Sequence, residues 1–500
     1  MMTARSIGGP FAVSAGSASL FDMSATSGPV AAQIEAEGKK SSWPVFLFLV
    51  FLILPWVIYI GPMRLSPYRF VLLVTIIPCL VTWIRGGAGR KRLPDFAILL
   101  FAFWGALGLF VIHGFAVAAQ SVGIGLIETV GAYFLARCYI RSADDFRNAV
   151  RLLFLTVVFL MPFAVIELVT GRNILREVLG LILPTFDVPS SSRSGLTRVV
   201  SVFEHPILFG VFAGNMVGLA HLVLGHGQGV VSRTLKSGTA VAMAAMSLSA
   251  GPVGAMAAQV LLLVWNSLLR QVRIRWYILI GLLIGVFCLI ELVANRSALT
   301  IVTSFVLFDN SSYWYRRFIW EFGSATALNH PFFGVGLNDW ERPAWMPTAS
   351  LDNFWLFQAV RSGLAAPFLL LLALLSIVLP VSFRKSLDSK VDAYRTAFVI
   401  SMAYFFFTGW TVHFWGNVYV LFLFLMGAGV WILEAGEVDG AGSNATFAPV
   451  KQFGASTDTR RGVLSTNLAS LDWQAPVGHP RRLAPDEILV SSDEWRDGQK

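Results

Sequence analysis

Between residues 43 and 434 the chain consists almost entirely of long apolar runs separated by short polar connectors. An α-helix needs roughly 20 apolar residues to cross the hydrocarbon core of a bilayer. About 12 runs approach that length: 44–61, 67–84, 95–113, 120–137, 149–169, 206–225, 236–250, 252–269, 276–294, 358–381, 395–411 and 416–434. They are continuous rather than alternating, which argues for helices and against barrel strands. The pattern therefore predicts an all-α polytopic membrane protein with about 12 transmembrane helices. Gly251-Pro252 is the only break between the seventh and eighth runs.

Two longer stretches interrupt the pattern, at 170–205 and 295–353. The second is polar yet aromatic-rich. A loop of that length in a compact domain is as a rule functional or disordered, and disordered segments are poor in aromatics. Residues 1–42 read as a flexible N-terminal tail without the pattern of a cleavable signal, and 435–500 as a flexible polar C-terminal tail. No internal repeat of the kind common in secondary transporters is visible.

Composition supports the membrane reading. The chain is 56% hydrophobic and 13% charged, with mean hydropathy +0.67, whereas soluble domains carry roughly 25% charged residues. The net charge of +9 lies in connectors and tails and forms no basic face on a soluble domain, so nucleic acid is not implied. Cys79, Cys138 and Cys288 lie in or beside apolar runs at no metal-ligand spacing, and read as small buried hydrophobes. Neither a metal nor a cofactor is expected.

Basic residues set topology by favouring the cytoplasmic side. With Lys39-Lys40 inside, one set of connectors carries Arg85/Arg90/Lys91/Arg92, Arg137/Arg141/Arg147/Arg151, Arg233/Lys236, Arg270/Arg273/Arg275 and Arg384/Lys385/Lys390/Arg395, while the alternate connectors at 114–119, 251 and 412–415 carry none. Both termini are then cytoplasmic, and 170–205 and 295–353 are outer loops.

Those outer loops nevertheless hold Arg172, Arg176, Arg193 and Arg198, then Arg296, Arg316, Arg317 and Arg342. A guanidinium fork binds phosphate bidentately, so an outer arginine cluster fits a lipid-linked phosphate or pyrophosphate. The alternative is ordinary pairing with Glu177, Asp187, Glu204, Asp309, Glu321, Asp339, Glu341 and Asp352. Arg316 and Trp320 share a face if their segment is helical, as do Arg317 and Glu321. The aromatics Tyr313, Trp314, Tyr315, Trp340, Trp345 and Trp355 could stack on sugar rings or form the interfacial belt. Pro206 suits the first turn of a helix, which places Glu204 and His205 at its N-terminus, where a carboxylate is favoured by the helix dipole. Glu128, Glu167, Glu291 and Arg361 fall at or near membrane depth, where ionisable groups are functional candidates.

Four segments occur in order: the arginine-preceded FEHPILFG (Phe203–Gly210), YRRFIWEFG (Tyr315–Gly323), HPFFGVGLNDW (His330–Trp340) and SLDNFWLFQAVRSGL (Ser350–Leu364). Together they resemble the O-antigen ligase/polymerase superfamily of bacterial envelope glycosyltransferases, and most of all its exopolysaccharide and O-antigen polymerases. The resemblance covers motifs from about 190 to 370, and the topology of the whole membrane core. It implies a C-type-glycosyltransferase-like fold in the bacterial inner membrane. It further implies metal-independent, inverting transfer on the periplasmic face from undecaprenyl-pyrophosphate-linked oligosaccharide to another lipid-linked repeat unit. Membrane lipids and a chain-length regulator are the partners it implies. Carried over, the leaving pyrophosphate is held by Arg193 or Arg198 and by Arg316 or its neighbour Arg317 before Trp320. Trp320, Asn353 and Arg296 are further candidate substrate-binding residues. Ligases usually place a His before the Asn of the later motif. Asp352-Asn353 here points away from transfer to lipid A core and makes Asp352 the candidate base, supported by His205 or Glu204. A plain N-cap role for Asp352 is the competing reading. A different class, a flippase or transporter for lipid-linked oligosaccharide, would make no bond at all.

Overall fold

The structure, a computed structural model, describes residues 42–60, 63–193, 195–272, 274–293, 310–346, 348–384 and 387–435. Among these, eight helices are long and apolar enough to cross a membrane, and the chain is an all-α membrane protein. Its helices run α1 (Trp43–Phe51), α2 (Pro67–Ile84), α3 (Leu93–Leu126), α4 (Ala132–Tyr139), α5 (Ala143–Thr170), α6 (Ile174–Gly180), α7 (Pro206–Leu219), α8 (Val230–Ala245), α9 (Ala250–Leu268), α10 (Arg275–Val293), α11 (Asn310–Asn329), α12 (Phe354–Ser362), α13 (Ala365–Phe383), α14 (Ser389–Thr408) and α15 (Gly416–Ala428). Two short antiparallel hairpins intervene, β1 (Ile58–Ile60) with β2 (Met63–Leu65) and β3 (Ser192–Arg193) with β4 (Leu196–Thr197).

Local chemistry explains where the elements differ from the apolar runs. The first run is helical only to Phe51 and then extended; Pro55 disfavours helical backbone at the residue before it. The run at 358–381 divides into α12 and α13 at Gly363, whose φ is +78° and whose missing Cβ leaves room for the carbonyl of Phe332. From Leu93 to Tyr139 the chain stays helical except at Gly114, where φ is +71° and ψ is 170°. It doubles back there, because Asp95 on the first arm accepts from Tyr133 Oη on the second at 2.7 Å and pairs with Arg137 Nε at 3.4 Å.

Two helical rods form the centre. The spans Pro206–Leu224 and Gly416–Leu433 are 89% and 83% buried, whereas Pro67–Ile84, at 39%, is the most buried of the others, as expected for helices that face lipid on one side. Glycine permits the tight approach to α7. Gly210, Gly214 and Gly218 lie four apart on one face; a Cβ on Gly210 would sit 2.5 Å from Ser247 Oγ, and one on Gly214 would collide with Tyr404 Oη. Small residues at such contacts let helices pack without a hydrophobic drive in lipid, and polar side chains add interhelical bonds. Gln259 Nε2 donates to Gly214 O at 2.8 Å, and Ser401 Oγ to Asn215 Oδ1 at 2.7 Å.

The basic connectors converge on one end of this bundle. Arg137 Nη2 donates to Arg90 O at 2.7 Å and pairs with Glu434 at 3.3 Å. Lys390 pairs with Asp144 at 2.6 Å, Arg384 donates to the Leu433 carbonyl, and His226 meets the Tyr394 ring. The alternate connectors gather at the other end, where Arg198 reaches Ser249, Phe354 N bonds to Gly409 O, and Trp415 reaches Glu204.

Candidate active site

The end that collects the alternate connectors is built around the segment before α7. Glu167, near the C-terminus of α5, accepts from Val200 N at 3.0 Å and Ser201 N at 2.9 Å. Asn173 Nδ2 and Arg176 Nη2 donate to Ser201 O at 2.6 and 3.0 Å. These bonds hold Ser201 at φ +53°, a left-handed conformation that is unusual for a residue with a side chain. The buried Glu167 flagged by its depth in the membrane thus has a structural task. The chain then enters α7 with Pro206 at its first position and His205 as N-cap, whose Nδ1 accepts from Ile207 N at 3.2 Å.

Arg193 and Arg198 flank β4 and reach across to the α8–α9 connector. Arg193 Nη1 donates to Leu248 O at 3.1 Å; Arg198 Nη2 donates to Ser249 Oγ at 2.8 Å and Nε to Ser247 O at 3.4 Å. Both are half-buried, and among the described residues neither pairs with a carboxylate. Burial and the charge of Arg193 push the Arg198 pKa down. Two adjacent guanidiniums held only by neutral oxygens retain an unneutralised field, and such a field favours an anion.

His205 and Asp352 share that neighbourhood. Burial and the charge of Arg198 lower the His205 pKa, while Asp352 acts the other way. Asp352 Oδ1 accepts from Ser350 Oγ at 2.7 Å. The helix cap is supplied by Asn353, whose Oδ1 accepts from Leu356 N at 3.0 Å. This settles the competing reading of Asp352: its carboxylate is not spent on the cap, and Asn353 serves as structure in α12. Glu204 Oε2 accepts from Trp415 Nε1 at 2.9 Å.

The island contributes through α11. Tyr315 Oη bonds with Thr348 Oγ1 at 2.5 Å, and Gly323 faces Leu351 and Leu356, so α11 lies along the segment carrying Asp352. Arg316 and Trp320 are on the same helix face as Gly323, and Trp320 meets Trp410 with ring centres 5.8 Å apart. Arg317 is exposed and turned over the Trp314 ring at 5.3 Å. Arg296 lies outside the described residues. The two positive-φ glycines of the HPFFGVG segment, Gly334 and Gly336, let it cross α12: Val335 N and Gly336 N donate to Val360 O and Arg361 O at 2.8 and 3.1 Å.

Arginine pairing is thus divided. Arg172 pairs with Glu177 at 2.7 Å and Arg342 with Asp339 at 2.9 Å, both as local contacts, whereas Arg193 and Arg198 do not. The structure brings Arg193, Arg198, His205 and Asp352 into one electrostatic neighbourhood, with Glu204 next to His205.

Three further groups adjoin it through residues that the sequence reading did not select: Trp415, Tyr68 with Arg69, and His413. Trp415 ties Glu204 to the site. Tyr68 Oη and Arg69 Nε donate to Glu128 at 2.7 and 2.8 Å, and Glu128 sits in a π-helical turn, Ile127–Gly131, a distortion often found at functional sites. His413 stacks on Phe357 and Trp415. The available signal was a His-Phe-Trp run at 413–415 in a connector otherwise noted only for lacking charge. Behind Phe357 lies a cavity of about 420 Å³, mainly apolar, with Thr129, Gln358, Arg361 and Tyr419 on its wall. Among the described residues no three His, Cys, Asp or Glu side chains are grouped as metal ligands would be. Comparison of the chain with known protein families and with curated proteins finds no match in either.

Proposed function

We propose that the chain is an inverting glycosyltransferase that polymerises undecaprenyl-pyrophosphate-linked oligosaccharide repeat units. In this reading the core has twelve membrane segments, both termini are cytoplasmic, and the arginine-bearing end faces the periplasm across the inner membrane. The observation that carries it is the pair Arg193 and Arg198, whose hydrogen bonds among the described residues go to neutral oxygens, beside His205 and the carboxylate of Asp352, which does not cap α12.

The chemistry divides among these residues. The acceptor hydroxyl oxygen attacks the anomeric carbon of the donor sugar and forms the new C–O bond. The bond from that carbon to the pyrophosphate oxygen breaks, and its electron pair leaves with the pyrophosphate. Arg193 and Arg198, with Arg316 from α11, stabilise that growing negative charge. Fixed donors aimed at developing charge are among the largest catalytic effects. Asp352 takes the acceptor proton and releases it to solvent, a role worth roughly 10²–10⁴-fold in rate. His205 and Glu204 position the carboxylate and the adjoining loop.

The test uses purified full-length protein in lipid with lipid-linked repeat units. A ladder of longer lipid-linked glycans supports the proposal. Relocation of label across the bilayer without bond formation would establish a flippase instead, and transfer only to lipid A core a ligase. Arg316→Ala and Asp352→Asn should each abolish chain growth while the protein still inserts and accumulates. Normal polymer from both variants would remove these residues from the site.

A further inference from the structure

The two arms of α3 run back from the turn at Gly114 without closing on each other. The first arm presents Ala102, Gly105 and Ala106, and the second Ser121 and Gly125, at spacings of three and four that put each set on one helix face. Facing small residues ordinarily let helices in lipid pack closely. Here they line the cavity of about 420 Å³ instead. The room extends to single positions. Beyond its own helix, a Cβ on Gly125 would meet nothing within 4 Å, and one on Gly105 only Ser362 Oγ at 3.9 Å.

Contacts made elsewhere hold this slot open. Trp104 Nε1, on the first arm, donates to Phe332 O at 3.1 Å and to Ser362 O at 3.0 Å. His113 Nε2 accepts from Leu337 N at 2.7 Å, and Phe333 lies against Gly108. The first arm thus leans on the HPFFGVG segment and α12 rather than on the second arm. The slot is bounded along its length. The turn at Gly114 closes one end, and the bond between Asp95 and Tyr133 joins the arms beyond the other.

What fills the slot follows from where it lies. Apolar cavities stay dry, and proteins keep few voids larger than a water. The volume falls within the roughly 300–1,000 Å³ of small-molecule sites. The span Leu93–Tyr139, which supplies both arms, is only 28% buried, and its Phe103, Phe115 and Val117 are exposed. It stands in hydrocarbon, where the available molecules are lipids.

The wall also carries a cation. Arg361 Nη1 donates to Gly336 O at 2.9 Å and Asn338 O at 2.5 Å. Its Nε and Nη2 have no hydrogen-bond partner among the described residues, and neither is closed to solvent. Asp339 is within electrostatic reach but pairs with Arg342 at 2.9 Å. A guanidinium with open donors beside an apolar slot matches a phosphate carried on an aliphatic chain.

We propose that the slot between the arms of α3 binds one acyl chain of a membrane phospholipid, with the headgroup phosphate at Arg361. A bounded slot of this volume takes a single acyl chain, whereas a carrier polyprenyl chain, several times longer, does not fit within it. The site is independent of the glycosyl-transfer chemistry proposed above.

The experiment is native mass spectrometry of the full-length protein purified in mild detergent. It is titrated with phosphatidylglycerol or with diacylglycerol of the same chains, which lacks the phosphate. Wild type should keep one phosphatidylglycerol through delipidation and bind it about tenfold tighter than diacylglycerol, as a charged hydrogen bond supplies. Gly125→Leu fills the slot and should lose the retained lipid. Gly123→Leu lies on the same arm, does not line the slot and also has open space at its Cβ; it should keep the lipid. Arg361→Gln should level the two affinities, and Arg361→Lys should restore the preference. Equal retention by Gly125→Leu and Gly123→Leu would overturn the proposal, as would a wild type that carries detergent only. Equal affinity of wild type for the two lipids would overturn it too. Undecaprenyl phosphate that displaces the retained lipid mole for mole would assign the slot to the carrier and overturn the phospholipid.

Discussion

The two ends of the helical bundle both concentrate arginine, but they treat it in opposite ways. At the basic end Arg137 is almost wholly enclosed, 2% exposed in its side chain against 0% for Asp95. It meets Asp95, Glu434 and the carbonyls of Ala88 and Arg90. Asp95 in turn accepts from Trp83 Nε1 at 2.9 Å and Tyr133 Oη at 2.7 Å. The most deeply buried cation there is thus answered by two carboxylates, Asp95 and Glu434. At the other end Arg193 and Arg198 have, among the described residues, only carbonyl and hydroxyl oxygens as hydrogen-bond partners. Arginine that closes a network holds helices together; arginine left with neutral partners is available to a ligand. The contrast locates function better than arginine content does, because both ends have arginine.

The largest effect should come from breaking the closed end. Removing one partner of a buried pair strands the other, at a cost of about 3–5 kcal/mol. Arg137→Met leaves Asp95 buried without its cation. The variant should show a large drop in the thermal midpoint and poor accumulation. A midpoint equal to wild type would mean that the network is not what closes this end.

Arg198→Ala is the mirror experiment. Its neutral partners, Ser247 O and Ser249 Oγ, can rebond to water, so the thermal midpoint should stay close to wild type. Chain growth should fall by roughly 10²-fold, the effect of losing one donor to developing charge. Should the variant unfold instead and retain specific activity, the two ends would be alike and the contrast would fail.

Much of this architecture could be read from the chain. Helix α2 spans Pro67–Ile84 and the span at α7 ends at Leu224, close to the limits of their apolar runs, because proline marks both starts. Prolines and glycines inside apolar runs were harder to weigh. Pro55 and Gly363 each divide a run, but their hydropathy is outvoted by their neighbours. The arginines were legible as a set, since arginine in an outer loop breaks the charge rule. Their sorting was not: Arg172 meets Glu177 five positions away, whereas Arg198 meets Ser249 through a fold that joins residues 51 positions apart. His413 and Trp415 were missed for the same reason. Trp415 meets Glu204 across 211 positions, and no periodicity records such a contact.

A smaller effect concerns pH. His205 has its pKa lowered, first by burial and then by Arg198, while the unfolded side chain titrates near about 6.5. The unfolded state therefore binds the proton first as pH falls. Stability is complete above about 6.5 and declines as pH drops from there toward the folded value, below which both states are protonated and the decline stops. Protonation also removes Nδ1 as the acceptor of the Ile207 N–H. The midpoint of wild type should fall between pH 7 and pH 5 by more than that of His205→Asn, which keeps a neutral cap. Parallel curves for the two proteins would remove His205 as the source.

The smallest effect should follow from Arg172→Ala, and it is the sharpest control on the contrast. Arg172 lies in the same loop as Arg193 and Arg198, carries the same charge, and would count equally in any reading by composition. Its guanidinium is 71% exposed and pairs with Glu177, itself 49% exposed. Exposed pairs of this kind contribute little, because solvent screens the attraction and holding two long side chains together costs entropy. Neither the thermal midpoint nor the rate of chain growth should change measurably. If Arg172→Ala slowed chain growth as much as Arg198→Ala, the general positive field of that end of the bundle would be the active agent. The absence, among the described residues, of a carboxylate paired with Arg193 or Arg198 would then have no bearing on where the anion binds.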